Sequence, residues 1–287
     1  MQPAHPLYPI GIVGTGRVAC ALATTLAGAG QLAIWGRDSG KAQELAAQVN
    51  GQACVSPDTM LDSCKTVILA VADDALEPLI VQFGCGEALS NPPLVCHVSG
   101  RSGAALLEPL RKRGALTAAI HPAMTFTGDP QAERERMIGA RFAVTAPDPA
   151  AREAAHALVA LLGGAAVDVA EEHRALYHAA LSHAANHLVT LLSGAQDMLR
   201  ASGISEPSPL LAPLIRAALE NTLAKGFEAL SGPLLRGDSG TIEGHLKAIA
   251  ENSPRQLPAY RAMASATLDE LERQGREPDA ALRARLT

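Results

Sequence analysis

The hydrophobic pattern changes character partway along the chain. In the first half, short apolar runs rich in β-branched residues alternate with alanine-rich stretches whose apolar positions recur every three or four residues. The runs predict strands at Ile10–Val13, Leu32–Trp35, Thr66–Val71, Leu94–Val98, Thr117–Ile120, Arg141–Thr145 and Val167–Val169. The stretches between predict helices, among them Val18–Ala29 and Lys41–Val49. Alternation of this kind predicts parallel strands joined by right-handed crossovers, with helices on both faces. From about Glu171 the strand signal stops. "EEHRALYHAALSHAANHLVTLLSGAQDMLRASG" predicts one long helix ended by Gly203, then a loop containing Pro207 and Pro209. Further helices are expected at about Leu211–Leu230, Thr241–Glu251 and Pro258–Gln274. The expected fold class is α/β: a doubly wound parallel sheet over residues 1–168, then an all-α domain over residues 169–287.

Composition narrows the functional classes. The 287 residues are 48% hydrophobic and 18% charged, as in a compact protein with a sizeable core. A net charge of −5 and 3% aromatic residues give no footprint for nucleic acid or an anionic membrane. Five cysteines without a CxxC pair read as reduced thiols. "MQPAHPLYP" lacks the basic start and apolar run of a signal peptide, and no stretch reaches eighteen uninterrupted apolar residues. A cytoplasmic protein is the expectation.

The first strand runs into Gly14-Thr15-Gly16-Arg17-Val18-Ala19, which fits the dinucleotide fingerprint G-x-G-x-x-G/A. Gly14 permits the tight turn, Gly16 presents no Cβ to a pyrophosphate, and Ala19 lets the helix approach the sheet. The helix N-terminus offers free N–H groups to the anion. An ordinary glycine-rich turn is the alternative. About twenty residues on, where an NAD-binding chain places a carboxylate for the ribose 2′-hydroxyl, this one reads "AIWGRDSGK". Gly36 takes the position of the acid, and Arg37, Ser39 and Lys41 follow. A guanidinium with hydroxyl and ammonium support attracts a 2′-phosphate, so NADP is expected over NAD. Asp38 is the contrary residue, unless it caps the next helix; a solvated arginine is the alternative for Arg37.

Three loops leave strand ends with polar residues: "AVADDAL", "HVSGRSG" and "AIHPAMTF". Ala72 of the first, with Ser99 and Gly100 of the second, counts among the cofactor-lining positions. Asp74 with Glu77 three residues later reads as a capping box. His121 is a candidate acid or base at a strand end, the alternative being a loop histidine with local partners. In the long helix His178, Ser182 and Asn186 fall at i, i+4 and i+8, a polar stripe suited to a substrate cleft or to bonding across helices. His183 and His187 form another i, i+4 pair, but no HExxH glutamate or cysteine cluster accompanies them, so no metal is expected.

Taken together, "GIVGTGRVA", "AVADDAL", "HVSGRSG", "HPAMTF", "YHAALSHAANHLVTLL" and "GPLLRGDSGTIEGHL" resemble a Rossmann-like family with a C-terminal domain of unknown function, DUF2520. That family belongs with proteins having a 6-phosphogluconate-dehydrogenase-like helical domain. Looser relatives are pyrroline-5-carboxylate reductase, ketopantoate reductase and the deazaflavin-dependent NADP reductases. The resemblance implies an N-terminal Rossmann sheet, NADP, a cleft between the domains and homodimers joined through the helical domains. Carried over, the superfamily's helix asparagine is Asn186. The acid/base lysine of many β-hydroxyacid dehydrogenases falls on Ser182, a poor proton donor, which passes that role to His121 or His178. Arg236, Asp238 and Thr241 in "RGDSGT" are candidates for a substrate carboxylate, in this or a partner subunit, or for a capped turn. The function expected is NADP-dependent reduction of a C=O or C=N bond in a small acidic metabolite. The rival is a non-catalytic NADP(H)-binding sensor, for which Ser182 speaks.

Overall fold

The structure is a computed structural model and describes residues 5–286. Its first elements are β1 (Ile10–Val13), α1 (Arg17–Leu26), β2 (Leu32–Trp35), α2 (Ser39–Gln48), β3 (Gln52–Ala53) and α3 (Asp58–Ser63). There follow β4 (Thr66–Leu69), α4 (Asp73–Gly84), β5 (Leu94–His97), α5 (Glu108–Lys112), β6 (Leu116–Pro122) and α6 (Pro130–Met137). The sheet ends with β7 (Arg141–Thr145), α7 (Pro149–Leu161) and β8 (Ala165–Asp168). All-helical chain follows: α8 (Arg174–Ala201), α9 (Pro207–Lys225), α10 (Pro233–Arg236), α11 (Ser239–Asn252), α12 (Leu257–Arg273) and α13 (Ala280–Leu286).

The strands form one sheet in the order β3-β2-β1-β4-β5-β6-β7-β8. The order reverses between β1 and β4, the switch point at which open α/β sheets bind ligands beyond the strands' carboxyl ends. Because strand residues alternate between faces, each run supplies two cores. Ile10, Ile12, Ile34, Ile68 and Ile120 pack with α1, α2 and α7 on one side. Val13, Val67, Leu69 and Val95 pack with α3, α4 and α5 on the other.

Four sequence expectations need correction. The sheet is not wholly parallel: β7 runs antiparallel to β6, with Pro122 opposite Phe142 and Ala119 opposite Thr145. The link carries only the eight-residue α6, about 12 Å of helix, and β7 begins beside the end of β6 instead of crossing the sheet. Asp74 forms no capping box, since Ala72 is the N-cap of α4 and no side chain caps it. Pro207 and Pro209 are not loop residues. They start α9, where a missing N–H leaves no bond unmade. α9 then stops at Lys225, before the expected Leu230, as Gly226 turns the chain with φ 61°. The two-residue edge strand β3 has no counterpart among the expected strands.

The chain divides into two compact units inside α8, one reaching Ser182 and one beginning at His183. The sheet ends at Asp168, but the first turns of α8 belong with it. In the second unit the core gathers Ile242, Ala264, Leu268, Leu271, Leu282 and Leu286 from α11, α12 and α13. No helix of the described residues is long and apolar enough to cross a membrane.

Candidate active site at the carboxyl ends of the strands

A cleft of about 330 Å³ opens at the switch point, lined by the β1–α1 turn, the end of β2 and the segment after β4. Gly14 sits at φ 130°, and a Cβ there would lie 2.1 Å from the Ala70 carbonyl oxygen. Only glycine makes this turn. Gly16, by contrast, faces open space, with nothing within 4 Å of where its Cβ would be. It is also the N-cap of α1, whose first turn has neither a capping side chain nor an acid. Its leading N–H groups are therefore available to an anion.

At the end of β2, Gly36 is buried, and a Cβ on it would come 2.7 Å from the Thr15 methyl. A carboxylate at this position would displace Thr15, the middle of the phosphate turn. Arg37 and Lys41 line the cleft with Asp38. Asp38 accepts a bond from the Lys41 backbone N–H at 3.1 Å, capping α2. The Lys41 ammonium lies 3.8 Å from the same carboxylate. Arg37 has no ion pair or side-chain hydrogen bond among the described residues. The turn, the uncapped helix start and the basic flank fit a dinucleotide with a charged adenosine ribose. Thr15 and Ala72 line the cleft with Gly14 and Gly16, whereas Ser39, Arg17 and Val18 do not. Ser39 opens α2, Arg17 is exposed beside Gly128, and Val18 packs toward the core.

A second cluster gathers at the ends of β5 and β6. His121 leaves β6 with Nδ1 2.9 Å from the Tyr177 hydroxyl, and its ring stands edge-on to those of Tyr177 and His178. A Cβ on Gly100 would lie 2.4 Å from His178 Cδ2 and 2.9 Å from His121 Nε2, so both imidazoles close over a backbone that can only be glycine.

The Ser99–Gly103 loop beneath is held from two sides. Arg174, 1% exposed, donates to the carbonyls of Ser99 (2.5 Å), Ser102 (3.1 Å) and Ala143 (3.2 Å). Its guanidinium also sits 5.6 Å from the centre of the Tyr177 ring. Buried His97 accepts from Ser99 N–H at Nδ1, so its Nε2–H donates to the Gly103 carbonyl at 2.9 Å.

Electrostatics keep these histidines neutral. Burial pushes His121 down to about 4, helped by the charges of Arg174 and His178 and opposed by Asp73. Burial likewise pushes His97 down to about 4, against its bond to Gly103. Tyr177 is raised by burial, with Arg174 working the other way. Asp73 pairs with Arg101 at 3.3 Å.

The expected residues are thus brought together in part. His121, His178 and Gly100 meet, Ser99 is buried in the loop, and Ser182 is half-buried one turn beyond His178. Asn186 lies one turn further along α8, past the unit boundary. His183 and His187 are exposed, with their Nδ1 atoms 2.9 Å apart. Among the described residues no group of three or more His, Cys, Asp or Glu is arranged to hold a metal. In the helical unit Asp238 accepts from Thr241 at both N–H (3.0 Å) and hydroxyl (2.7 Å), capping α11. These bonds hold its carboxyl below the usual range. Arg236 closes α10 and has no ion-pair partner among the described residues. Tyr177, Arg174 and His97 were missed in the sequence, although each adjoins a stretch already singled out.

The fold and the cleft define a Rossmann-like protein with a helical C-terminal unit. Family models give that class its name: the Rossmann-like domain matches residues 2–122 and the domain of unknown function DUF2520 matches residues 140–267. The chain joins these two domains, as its motifs implied. No curated protein matches it. Among solved structures, protein TM1727 from Thermotoga maritima aligns over 93% of this chain and 100% of its own, at 20% identity and TM-score 0.70. An imine reductase from Myxococcus stipitatus in complex with NADP+ covers 96% and 99%, at 19% and 0.69. A reductive aminase from Aspergillus terreus in complex with NADPH and ethyl-5-oxohexanoate covers 97% and 99%, at 19% and 0.68. At these identities the likeness is one of fold.

Proposed function

We propose that the chain is an NADP-dependent oxidoreductase that reduces a C=O or C=N bond of a small acidic metabolite. One observation carries the reading: where an acid would grip a 2′-hydroxyl, a buried glycine packs on Thr15 and an unpaired Arg37 follows. Charge-assisted bonds from Arg37 and Lys41 suit a 2′-phosphate, and the uncapped start of α1 suits the pyrophosphate. The NADP+ and NADPH complexes of the imine reductase and the reductive aminase support the same choice. When bound, the nicotinamide supplies the hydride.

The chain's own residues orient the substrate and manage one proton. His121, held neutral, serves as a hydrogen-bond donor to the reacting oxygen or nitrogen. His178, on the other side of Gly100, hands over the proton. Asn186 orients the substrate, Ser182 replaces the superfamily lysine, and Arg236 takes the carboxylate, with Asp238 and Thr241 shaping its turn. Five free thiols fit a reducing compartment such as the cytoplasm. The functional unit is a homodimer. α9 is apolar nearly all round and almost wholly exposed, as a helix is when a second copy must cover it.

Fluorescence titration of the wild type and Arg37→Ala with both coenzymes tests the assignment. The wild type is expected to prefer NADPH. The variant should lose about 10- to 100-fold in NADPH affinity, with NADH affinity unchanged. Preference for NADH, or no binding of either, would overturn it. Tight binding without NADPH oxidation across keto acids and cyclic imines would favour the sensor, the reading that Ser182 supports.

A further inference from the structure

We propose that Tyr177 is a positioning residue: its hydroxyl donates to His121 Nδ1 and locks the imidazole in the Nε2–H tautomer, which aims a neutral donor at the reacting atom above Gly100. The inference deepens the reductase reading and rests on it for the nature of that atom.

The two nitrogens of His121 have different fates. Nδ1 meets the Tyr177 hydroxyl at 2.9 Å. Nε2 has no hydrogen-bond partner among the described residues, and it faces the backbone of Gly100 so closely that a Cβ there would stand 2.9 Å away. His97 provides the contrast a few ångströms below in the fold: both its nitrogens are consumed, by Ser99 N–H and the Gly103 carbonyl. His97 therefore holds a loop, while His121 keeps one nitrogen for a ligand.

The direction of the Tyr177 bond follows from acid–base strength. A phenol, with pKa about 10, is a far stronger acid than a neutral imidazole N–H. The pyridine-type nitrogen of imidazole is in turn a better acceptor than a phenol oxygen. The hydroxyl hydrogen consequently lies toward Nδ1, and the ring proton is left on Nε2. Arg174 fixes the tyrosine for this task, with its guanidinium over the ring and its three N–H groups spent on loop carbonyls.

Tautomer matters here because the charged form is suppressed. Burial opposes imidazolium at His121, and so do Arg174, His178 and His97; Asp73 alone among the facing charges favours it. An imidazolium donates from both nitrogens whatever its partner. A neutral ring donates from one, and only the Nε2–H form presents that donor to a carbonyl or imine. A neutral histidine can polarise a carbonyl in this way provided its proton is on the correct nitrogen.

Two-bond 1H–15N correlation spectra of 15N-histidine-labelled protein at neutral pH test this without any turnover. His121 is expected as Nε2–H with an unprotonated Nδ1, and His97 as the same tautomer. In Tyr177→Phe, which keeps the ring against Arg174, His121 should move to a mixture of tautomers while His97 stays put. NADPH affinity should be unchanged and kcat on an accepted substrate should fall about 3- to 10-fold. An Nδ1–H form in the wild type overturns the proposal even if the variant does not fold. An unaltered His121 tautomer in Tyr177→Phe overturns it too. A shifted tautomer in a protein that binds NADPH but reduces nothing supports the lock and removes only the reductase reading.

Discussion

In the sheet unit β1, β4 and β5 are buried at every residue, and helices cover them from both sides. In the helical chain beyond, Val189 of α8 is 70% exposed and Leu223 of α9 is 80% exposed, with Leu210, Leu214 and Leu219 also open. One region completes its hydrophobic core within a single chain, and the other carries apolar surface that a lone chain leaves in water. The difference teaches where each kind of damage should register. Changes in the sheet unit act through close packing and buried charge, whereas changes on α8 and α9 act through association.

The largest effect is expected from Gly14→Ala. The new Cβ would meet the Ala70 carbonyl oxygen at 2.1 Å in a backbone conformation that side chains rarely adopt. Strain and overpacking together cost on the order of 3–5 kcal/mol. Denaturant titration should show that loss, and NADPH binding should vanish. A variant as stable as the wild type would mean that β1 and β4 are not locked at the switch point.

Next comes Leu219→Asp with Leu223→Asp, a pair one turn apart on α9. The two charges should shift the dimer toward monomer by about a hundredfold or more in dissociation constant, read by analytical ultracentrifugation. Stability of the sheet unit should hardly change. A wild type that sediments as a monomer at all concentrations would remove the association reading.

Acid comes third and returns to the sheet. His97 and His121 titrate near 4 in the folded protein and near 6.5 when unfolded. Between those values the unfolded chain binds more protons, so stability falls as pH drops. Their contribution is complete above about 6.5 and gone below about 4, on the order of 3 kcal/mol for each histidine. Unfolding midpoints from pH 7.5 to 4 should trace that decline, and His121→Asn should flatten part of it. A decline confined below pH 4 would assign the acid limb to carboxylates instead.

The same contrast explains how much was legible beforehand. β1, β2 and β7 fall where the apolar runs put them, because strands buried on both faces read as continuous hydrophobic stretches. The direction of β7 was not legible: an apolar run does not encode which way the chain enters the sheet. β3, at Gln52–Ala53, is a two-residue edge with no pattern to read. Gly14, Gly16 and Arg37 were legible because a phosphate turn needs particular residues at fixed spacing. Arg174 and Tyr177 were not, since nothing in "HRALYH" says that the arginine will be buried on three carbonyls or that the tyrosine will meet a histidine 56 positions earlier. Such contacts belong to tertiary structure alone.

The smallest effect belongs to Asp238, where the sequence left a cap and a substrate role side by side. Its carboxylate takes the Thr241 N–H and hydroxyl together, so Asp238→Ala frees an orphan N–H at the start of α11. The melting temperature should drop by about 2–4 °C. Asp238→Ser caps nearly as well and should restore it. The two variants then separate the roles, for a serine satisfies the helix but brings no charge to Arg236 or to a ligand. Full NADPH-dependent activity in Asp238→Ser would confine Asp238 to the cap, and Arg236 would stand as the anchor of that turn. Activity that stays low while the melting temperature recovers would place the carboxylate at the substrate, and the helical unit would then contribute chemistry as well as surface.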